Sequence, residues 1–307
     1  MMKDADCSLR SASLEHALAG TCYRAVRKLG EGTSSEVFAA RGPLGELRAV
    51  KVLRPIHEGA DEAALRLTQE GRVLAELDHP HVVKVLDVGL TADGRPYFVM
   101  DRLRGETLRE RLDRDGKLPP VDACSLMLGV LDGLDAAHRA GIVHRDVKPS
   151  NIFLCRGDGP SGVERAILLD FGIAKVRGSS LDPTGAAFVI GTPRYLAPEQ
   201  ILGGRVDART DVYSMGILLF EVIAGRGPFD AKGPLPSMRA HLNDKPHALR
   251  KFVDVPPELE KAVARALRKE PDRRWPSAGA LAAALRGACV RSRRDAGSPG
   301  LCWSGAQ

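Results

Sequence analysis

Hydrophobic and polar residues follow two different periods along this chain, and the change falls near Gly105. Over residues 23–53, Val, Phe and Ala alternate with charged residues between Gly-containing turns, a pattern that predicts β-strands. The stretches VVKVLDVGL and RPYFVMDRL predict two more strands, separated by a turn at 92–94. Apolar residues at helical spacing predict one helix over residues 62–77. The first hundred residues therefore predict a small sheet-rich unit with a single main helix.

Helical periodicity dominates after Gly105. It is clear in TLRERLDRDG, VDACSLMLGVLDGLDAAHRAG, TDVYSMGILLFEVIAG and PPELEKAVARALRKE. A short strand-rich patch interrupts it at about 141–170, and a Gly/Pro/Ser-rich segment follows at about 173–198. The last residues, VRSRRDAGSPGLCWSGAQ, contain few core-forming residues and predict disorder. The second part of the chain thus predicts a larger, mainly helical unit.

The composition is that of a globular protein, with 307 residues, 44% hydrophobic and 27% charged. The net charge of +6 would suit nucleic acid, a membrane surface or acidic substrates. However, the basic residues are scattered, with no stripe and no interleaved aromatic residues, so an Arg-rich codon bias is the favoured interpretation. No nucleic-acid partner is predicted.

The cysteines and the apolar runs indicate where in the cell the protein is located. None of the six cysteines forms a C-x-x-C pair, so we expect free thiols in a reducing compartment and no zinc site. The N-terminus lacks the apolar core of a signal peptide. The longest apolar run, MGILLFEVIAG, is too short for a membrane span and contains Glu221. A cytoplasmic protein is predicted, which could also be the soluble part of a longer membrane protein.

The stretch LGEGTSSEV nearly matches the phosphate-binding pattern G-x-G-x-x-G, with Gly30 and Gly32 in place and Ser35 instead of the third glycine. A dinucleotide loop continues into a helix and has an acidic residue about 20 positions further on. Here the following residues are strand-like, and Lys51 stands at about that distance. A hairpin over phosphates with a lysine on the next strand fits better. On this loop alone, an ordinary glycine turn with a surface lysine stays open.

Three downstream motifs resolve the ambiguity, because HRDVKPSN at 144–151, DFG at 170–172 and APE at 197–199 occur in one fixed order. With LDHPHVVKVLDVG and GTPRYLAPEQ, the chain resembles the eukaryotic-like serine/threonine protein kinase family, and most of all its bacterial members. The resemblance runs from about Tyr23 to Ala288. It implies an α+β, two-lobed protein kinase fold, with a flexible segment at 1–21, an N-lobe at 22–103, a C-lobe at 104–288 and a disordered tail at 289–307.

The resemblance also implies the catalytic residues, since phosphoryl transfer needs positioning and charge neutralisation. Lys51 matches the lysine that holds the α- and β-phosphates. Glu70 matches its carboxylate anchor on the helix, with Glu62 and Glu76 as alternatives; Leu67 and Leu74 flank Glu70 at helical spacing, so it should face the packed side.

The HRD and DFG motifs imply the remaining chemistry. Asp146 would be the catalytic base, and Lys148 would contact the γ-phosphate. Asn151 and Asp170 offer hard oxygen ligands that suit Mg²⁺.

The same resemblance implies an ATP site built from three kinds of residue. A glycine-rich lid covers the phosphates, apolar side chains enclose the adenine, and a hinge offers its backbone to the base. The lid residues are Leu29, Gly30, Glu31 and Gly32; the apolar residues are Val37, Ala49 and Phe153; the gatekeeper is Met100; and the hinge residues are Asp101 and Leu103.

Regulatory and scaffold roles follow from the family pattern as well. Arg145 would pair with a phosphorylated activation-loop residue, for which the loop offers Ser179, Ser180 and Thr184, with Thr184 favoured. Self-association could serve such autophosphorylation in trans. Thr192 and Lys148 indicate Ser/Thr rather than Tyr specificity. The expected scaffold contacts are a buried pair between Glu199 and Arg274, and Asp211 on the backbone of the catalytic loop.

Two other classes of function compete with a kinase that phosphorylates protein substrates. A pseudokinase scaffold would lack at least one of Lys51, Asp146, Asn151 and Asp170, but all four are present. A small-molecule phosphotransferase of related fold would not need APE, GTPRY or an activation loop. The insertion CRGDGPSGVE after the catalytic asparagine should lie on the surface.

Overall fold

The computed structural model describes residues 17–32, 35–54, 60–156, 164–171 and 193–295. Its N-terminal lobe consists of an antiparallel five-stranded sheet and one long helix. The elements are β1 (Arg24–Glu31), β2 (Ser35–Arg41), β3 (Leu47–Leu53), α1 (Ala60–Glu76), β4 (Val85–Leu90) and β5 (Pro96–Asp101). The strands lie in the order β1-β2-β3-β5-β4, and α1 packs against β4 and β5.

Alternating side chains give this sheet two different faces. Phe38, Val50 and Val99 belong to one buried cluster, whereas Lys51 and Phe98 on neighbouring positions face the helix and the cleft. The register pairs Val37 with Lys51 and Ala49 with Met100. Residues predicted to contact different parts of one nucleotide are therefore next to one another in the sheet.

The N-lobe begins earlier than the predicted boundary at residue 22. Ala17 and Leu18 are buried and belong to the cluster that includes Phe38, and Ala92 donates its N–H to Ala19 O at 2.7 Å. The small-residue composition of this stretch suggested a loose segment, but Ala and Leu fill space under the sheet. Residues 1–16 lie outside the described residues.

The C-terminal lobe is mainly helical and carries a small three-stranded sheet on the side that lines the cleft. The helices are α2 (Leu108–Asp115), α3 (Pro120–Arg139), α4 (Pro198–Ile201), α5 (Ala208–Ala224), α6 (Pro234–Asn243), α7 (Pro257–Ala266) and α8 (Ala278–Asp295). The strands are β6 (Gly105–Thr107), β7 (Ile152–Cys155) and β8 (Arg165–Leu168), paired in that order. Helix α8 continues past the predicted end of the C-lobe at 288; residues 296–307 lie outside the described part.

Helix α5 is the centre of this lobe, since every residue from 210 to 223 is buried. A helix that is mostly apolar on all sides is stable only inside a core. Asp207 caps its N-terminus by accepting from Arg209 N at 2.9 Å, and Gly225 ends it with φ 73°. The helix therefore forms a rigid support for the loops that surround it.

A buried ion pair fixes the segment that leads into α5. Arg274 is 1% exposed and donates to both oxygens of Glu199 at 2.7 Å. It also donates to the backbone carbonyls of Arg268, Lys269 and Arg209. The predicted pair between Glu199 and Arg274 is confirmed.

No helix in the described part of the chain is both long and apolar enough to cross a membrane.

Candidate active site

A cleft of about 830 Å³ lies between the two lobes. Its lining includes almost all the residues predicted to bind nucleotide, metal or the transferred phosphate. Those residues are Leu29, Gly30, Glu31, Gly32, Val37, Ala49, Lys51, Met100, Asp101, Leu103, Asp146, Lys148, Asn151, Phe153 and Asp170. Glu70 is the one member of the predicted set outside this lining.

Asp211 of α5 holds the backbone of the catalytic loop in place. Its two carboxylate oxygens accept from His144 N and Arg145 N, each at 2.8 Å, and His138 Nε2 lies 2.8 Å from Oδ2. The carboxylate is fully buried, where it is tolerated because these donors satisfy it. Arg145 adopts φ 64°, an unfavourable region for a residue with a side chain, so the loop geometry depends on such anchors. The predicted contact of Asp211 with the loop backbone is confirmed.

His144 connects the catalytic loop to the segment that carries Asp170. Its Nδ1 accepts from Asp146 N at 3.2 Å, so its Nε2–H donates to Leu169 O at 2.7 Å. Burial lowers the pKa of this imidazole and so favours the neutral ring, while the two hydrogen bonds set its tautomer. The ring of Phe171 packs 4.7 Å from the His144 ring, centroid to centroid. His144 and Phe171 belong to the HRD and DFG motifs, but neither was predicted to have a role.

Among the described residues, Lys148 and Asn151 both donate to the Asp146 carboxylate. Lys148 Nζ donates to Asp146 Oδ2 at 2.8 Å. Asn151 Nδ2 donates to the same oxygen at 3.1 Å and to Asp146 O at 2.9 Å. Because Asn151 is buried and its amide donors face Asp146, its Oδ1 stays available as an acceptor.

Lys51 pairs with Asp170 and not with Glu70. The Lys51 Nζ to Asp170 Oδ1 distance is 2.9 Å. The structure does not bring Glu70 to the lysine. Burial raises the pKa of the Glu70 carboxyl, and the charge of Arg145 partly opposes that rise. The anchoring role of Glu70 stays a prediction for another arrangement of α1.

The end of the cleft predicted to hold adenine has apolar side chains on both sides. Val37 and Ala49 come from β2 and β3, and Phe153 comes from β7. Met100 is 8% exposed and closes the back. The N–H of Asp101 donates to Lys84 O at 3.4 Å. The contact of Asp101 and Leu103 with adenine stays a prediction.

The glycine-rich segment is the β1–β2 hairpin. Gly32 N donates to Ser35 O at 2.8 Å, which closes the hairpin, and a Cβ at Gly30 would meet no atom within 4 Å. Glu31 is paired with Lys28 at 2.6 Å and also with Arg54. The side of the hairpin at Gly30 is therefore open enough for a phosphate to approach the backbone.

The oxygen donors at the phosphate end suit a magnesium ion. Asp170 is 34% exposed in its side chain, and the amide of Asn151 bonds to Asp146 through its nitrogen, which leaves its oxygen for a ligand. A carboxylate and an amide oxygen match the hard ligands of Mg²⁺, which keeps several of its own waters. Asn151 and Asp170 could hold such an ion once Lys51 shifts toward the phosphates.

Three arginines that were not predicted to belong to the site also line the cleft. Arg27, Arg102 and Arg104 contribute to its walls. Their neighbours in sequence gave no signal, because basic residues are frequent throughout the chain.

Comparisons with known proteins agree with this geometry. Residues 23–284 match the protein kinase domain. The chain is 41% identical to the serine/threonine-protein kinase PkaB of Streptomyces coelicolor over 87% of its length, and 37% identical to the serine/threonine-protein kinase PknB of Mycobacterium leprae over 84%. The PknI kinase domain of Mycobacterium tuberculosis superimposes with a TM-score of 0.67 at 29% identity, covering 89% of this chain and 98% of that domain.

The chain therefore belongs to the eukaryotic-like serine/threonine protein kinase family of bacteria. The predicted α+β, two-lobed fold is confirmed. The chain spans 63% of PkaB and 41% of PknB, so these relatives are longer than the region they share with it.

Proposed function

We propose that this protein transfers the γ-phosphate of MgATP to Ser and Thr hydroxyls of protein substrates. The observation that carries the proposal is the arrangement around Asp146. Its carboxylate is oriented by Lys148 and Asn151, and it lines the same cleft as Lys51 and Asp170. A scaffold that only bound partners would not need this alignment.

Each of these residues has a task in phosphoryl transfer. Asp146 accepts a hydrogen bond from the substrate hydroxyl, orients it for in-line attack and takes its proton as transfer proceeds. Lys148 and Lys51 neutralise charge on the phosphates from two sides of the cleft. A magnesium ion held by Asn151 and Asp170 supplies further charge neutralisation when bound.

A phosphate-transfer assay with Asp146→Asn tests this function. With radiolabelled ATP and generic protein substrates, we expect incorporation by the wild type and a loss of at least about 10²-fold in the variant. The asparagine should leave ATP binding intact, which calorimetry can measure. Asp254→Asn, a change at an exposed aspartate, is the matched control and should retain full activity.

A pseudokinase scaffold is the alternative. No observation favours it, because Lys51, Asp146, Asn151 and Asp170 all line one cleft. Tight ATP binding by the wild type without any phosphate incorporation would contradict the kinase proposal and support the scaffold.

We further propose that the protein phosphorylates its own activation loop, with Thr184 as the favoured site over Ser179 and Ser180. All three lie outside the described residues. The support comes from Arg145, whose Nε is buried without a hydrogen-bond partner in the described part of the chain. A phosphate could satisfy such a guanidinium. Mass spectrometry after incubation with MgATP should find phosphate on this loop, and full activity with an unmodified loop would contradict the idea.

We also propose that two copies of the protein associate transiently, so that one phosphorylates the activation loop of the other. A cytoplasmic location is proposed as well. A rate of loop phosphorylation that rises with protein concentration would support reaction between two copies. Cell fractionation tests the location.

A further inference from the structure

Gly71 lies directly after Glu70, on the side of α1 that faces the sheet. Leu67, Gly71 and Leu74 follow one another at helical spacing, and all three are buried. Glycine is less favourable than alanine inside a helix, because it loses more backbone freedom on folding. A glycine here needs a packing reason.

That reason is the distance between α1 and strand β5. A Cβ at position 71 would overlap Phe98 Cε1 and would lie 3.1 Å from Val88 Cγ1. Phe98 is 4% exposed and packs with Leu67, so its ring has little room to move away. The backbone of α1 therefore rests directly on the Phe98 ring.

Phe98 connects this contact to the lysine of the cleft. It is the cross-strand partner of Lys51 in the β3–β5 pair, so both side chains lie on the same face of the sheet. Both also line the cleft. The distance between α1 and Phe98 therefore also determines how far Glu70 lies from the sheet face that carries Lys51.

Glu70 does not reach Lys51 in this structure, since Lys51 is paired with Asp170. For Glu70 to anchor the lysine, α1 must turn while its backbone stays in contact with Phe98. A side chain at position 71 would occupy the space that this movement needs.

We propose that Gly71 is a positioning residue for phosphoryl transfer: its missing side chain allows α1 to approach Phe98 closely enough for Glu70 to pair with Lys51. This inference rests on the proposed kinase function and acts through Glu70. Gly71 itself touches neither substrate nor nucleotide.

The test compares Gly71→Ala in two backgrounds. We expect the substitution to lower kcat by about tenfold or more in the wild type, because small misplacements of catalytic groups have large effects on rate. In a Glu70→Gln background the same substitution should change kcat by less than about twofold. The effects of two substitutions that disturb the same contact are not additive. Equal losses in both backgrounds would overturn the inference.

A rescue variant gives an independent readout. Phe98→Leu removes the ring atoms that a Cβ at position 71 would overlap. The double variant G71A/F98L should recover to the activity of F98L alone. If Gly71→Ala causes the same loss in the wild type and in the Phe98→Leu background, the packing argument fails.

Two other glycines separate positioning from general destabilisation. A Cβ at Gly287 in α8 would meet no atom within 4 Å, so Gly287→Ala controls for helix propensity. A Cβ at Gly216 in α5 would lie 2.9 Å from Ala266 Cβ, so Gly216→Ala strains the C-lobe core away from α1. Gly216→Ala should lower the thermal midpoint without the dependence on Glu70. If the Gly71→Ala enzyme is as active as Gly287→Ala, the role of Gly71 is wrong but the proposed kinase function stands. If the wild type is inactive, the proposed function is wrong and so is this role.

Discussion

The ammonium group of Lys51 lies 2.9 Å from a carboxylate oxygen of Asp170. The residue predicted to bind phosphate is therefore paired with a residue predicted to bind metal. Each neutralises the other's charge inside the cleft. Substitution of either residue therefore also removes the partner of the other.

Lys51→Met should abolish phosphate transfer while the protein stays folded. The variant loses one cation at the phosphates and leaves Asp170 without its partner, so we expect kcat to fall by at least about 10²-fold. Incorporation of radiolabelled phosphate measures the effect. Lys245→Met, at an exposed lysine, is the matched control. Normal activity of purified Lys51→Met would remove Lys51 from the mechanism.

Ser35→Gly should leave activity within a few-fold of the wild type. Ser35 is 7% exposed and contributes its backbone carbonyl, not its hydroxyl, to the bond from Gly32 N. Phosphate binding by this hairpin should use backbone N–H groups, which the substitution retains. The Michaelis constant for ATP is the quantity to measure. A large change in it would show that the hydroxyl takes a direct part.

Removing one partner of the Glu199–Arg274 pair should destabilise the C-lobe strongly. Arg274→Met leaves a buried carboxylate without its cation and three backbone carbonyls without their donor. Losses of this kind cost about 3–5 kcal/mol in the free energy of unfolding. Glu199→Gln keeps a hydrogen-bonding group and should cost less. Urea unfolding of both variants and of the double variant measures the coupling, and a loss below about 1 kcal/mol for Arg274→Met would contradict the assignment.

The sequence placed Asp146, Lys148 and Asn151 in one site because they belong to one short motif. The bonds of Lys148 and Asn151 to Asp146 were not predicted, although residues so close in the chain can meet within one loop. The Glu199–Arg274 pair came from the family resemblance, and the structure confirms it with two bonds of 2.7 Å.

The arrangement of α1 could not be predicted in the same way. Whether Lys51 pairs with Glu70 or with Asp170 depends on the position of a whole helix relative to a sheet. No local pattern encodes that position. The close approach at Gly71 likewise depends on Phe98, a residue from another strand. The burial of Ala17 and Leu18 was not predicted for a related reason. Two apolar residues beside a polar stretch are too few to form a periodic pattern.

His241 should make the protein lose stability as the pH falls below about 6.5. It is 2% exposed, its Nε2–H donates to Arg194 O at 3.0 Å, and its Nδ1 accepts from Tyr213 Oη at 2.9 Å. Burial, assisted by the nearby charge of Lys269, lowers the pKa of His241 to about 4. The unfolded chain therefore binds more protons than the folded one between about pH 6.5 and 4, so stability rises with pH across this window and is lost on acidification. The full effect of this one group is roughly 3 kcal/mol. His144 is also buried with a lowered pKa, so it changes the stability in the same direction.

His241→Gln keeps a donor for Arg194 O but cannot titrate, so the unfolding free energy of this variant should fall less steeply from pH 6.5 to 4.5. Parallel pH profiles for the wild type and His241→Gln in urea unfolding would show that His241 is not the group responsible.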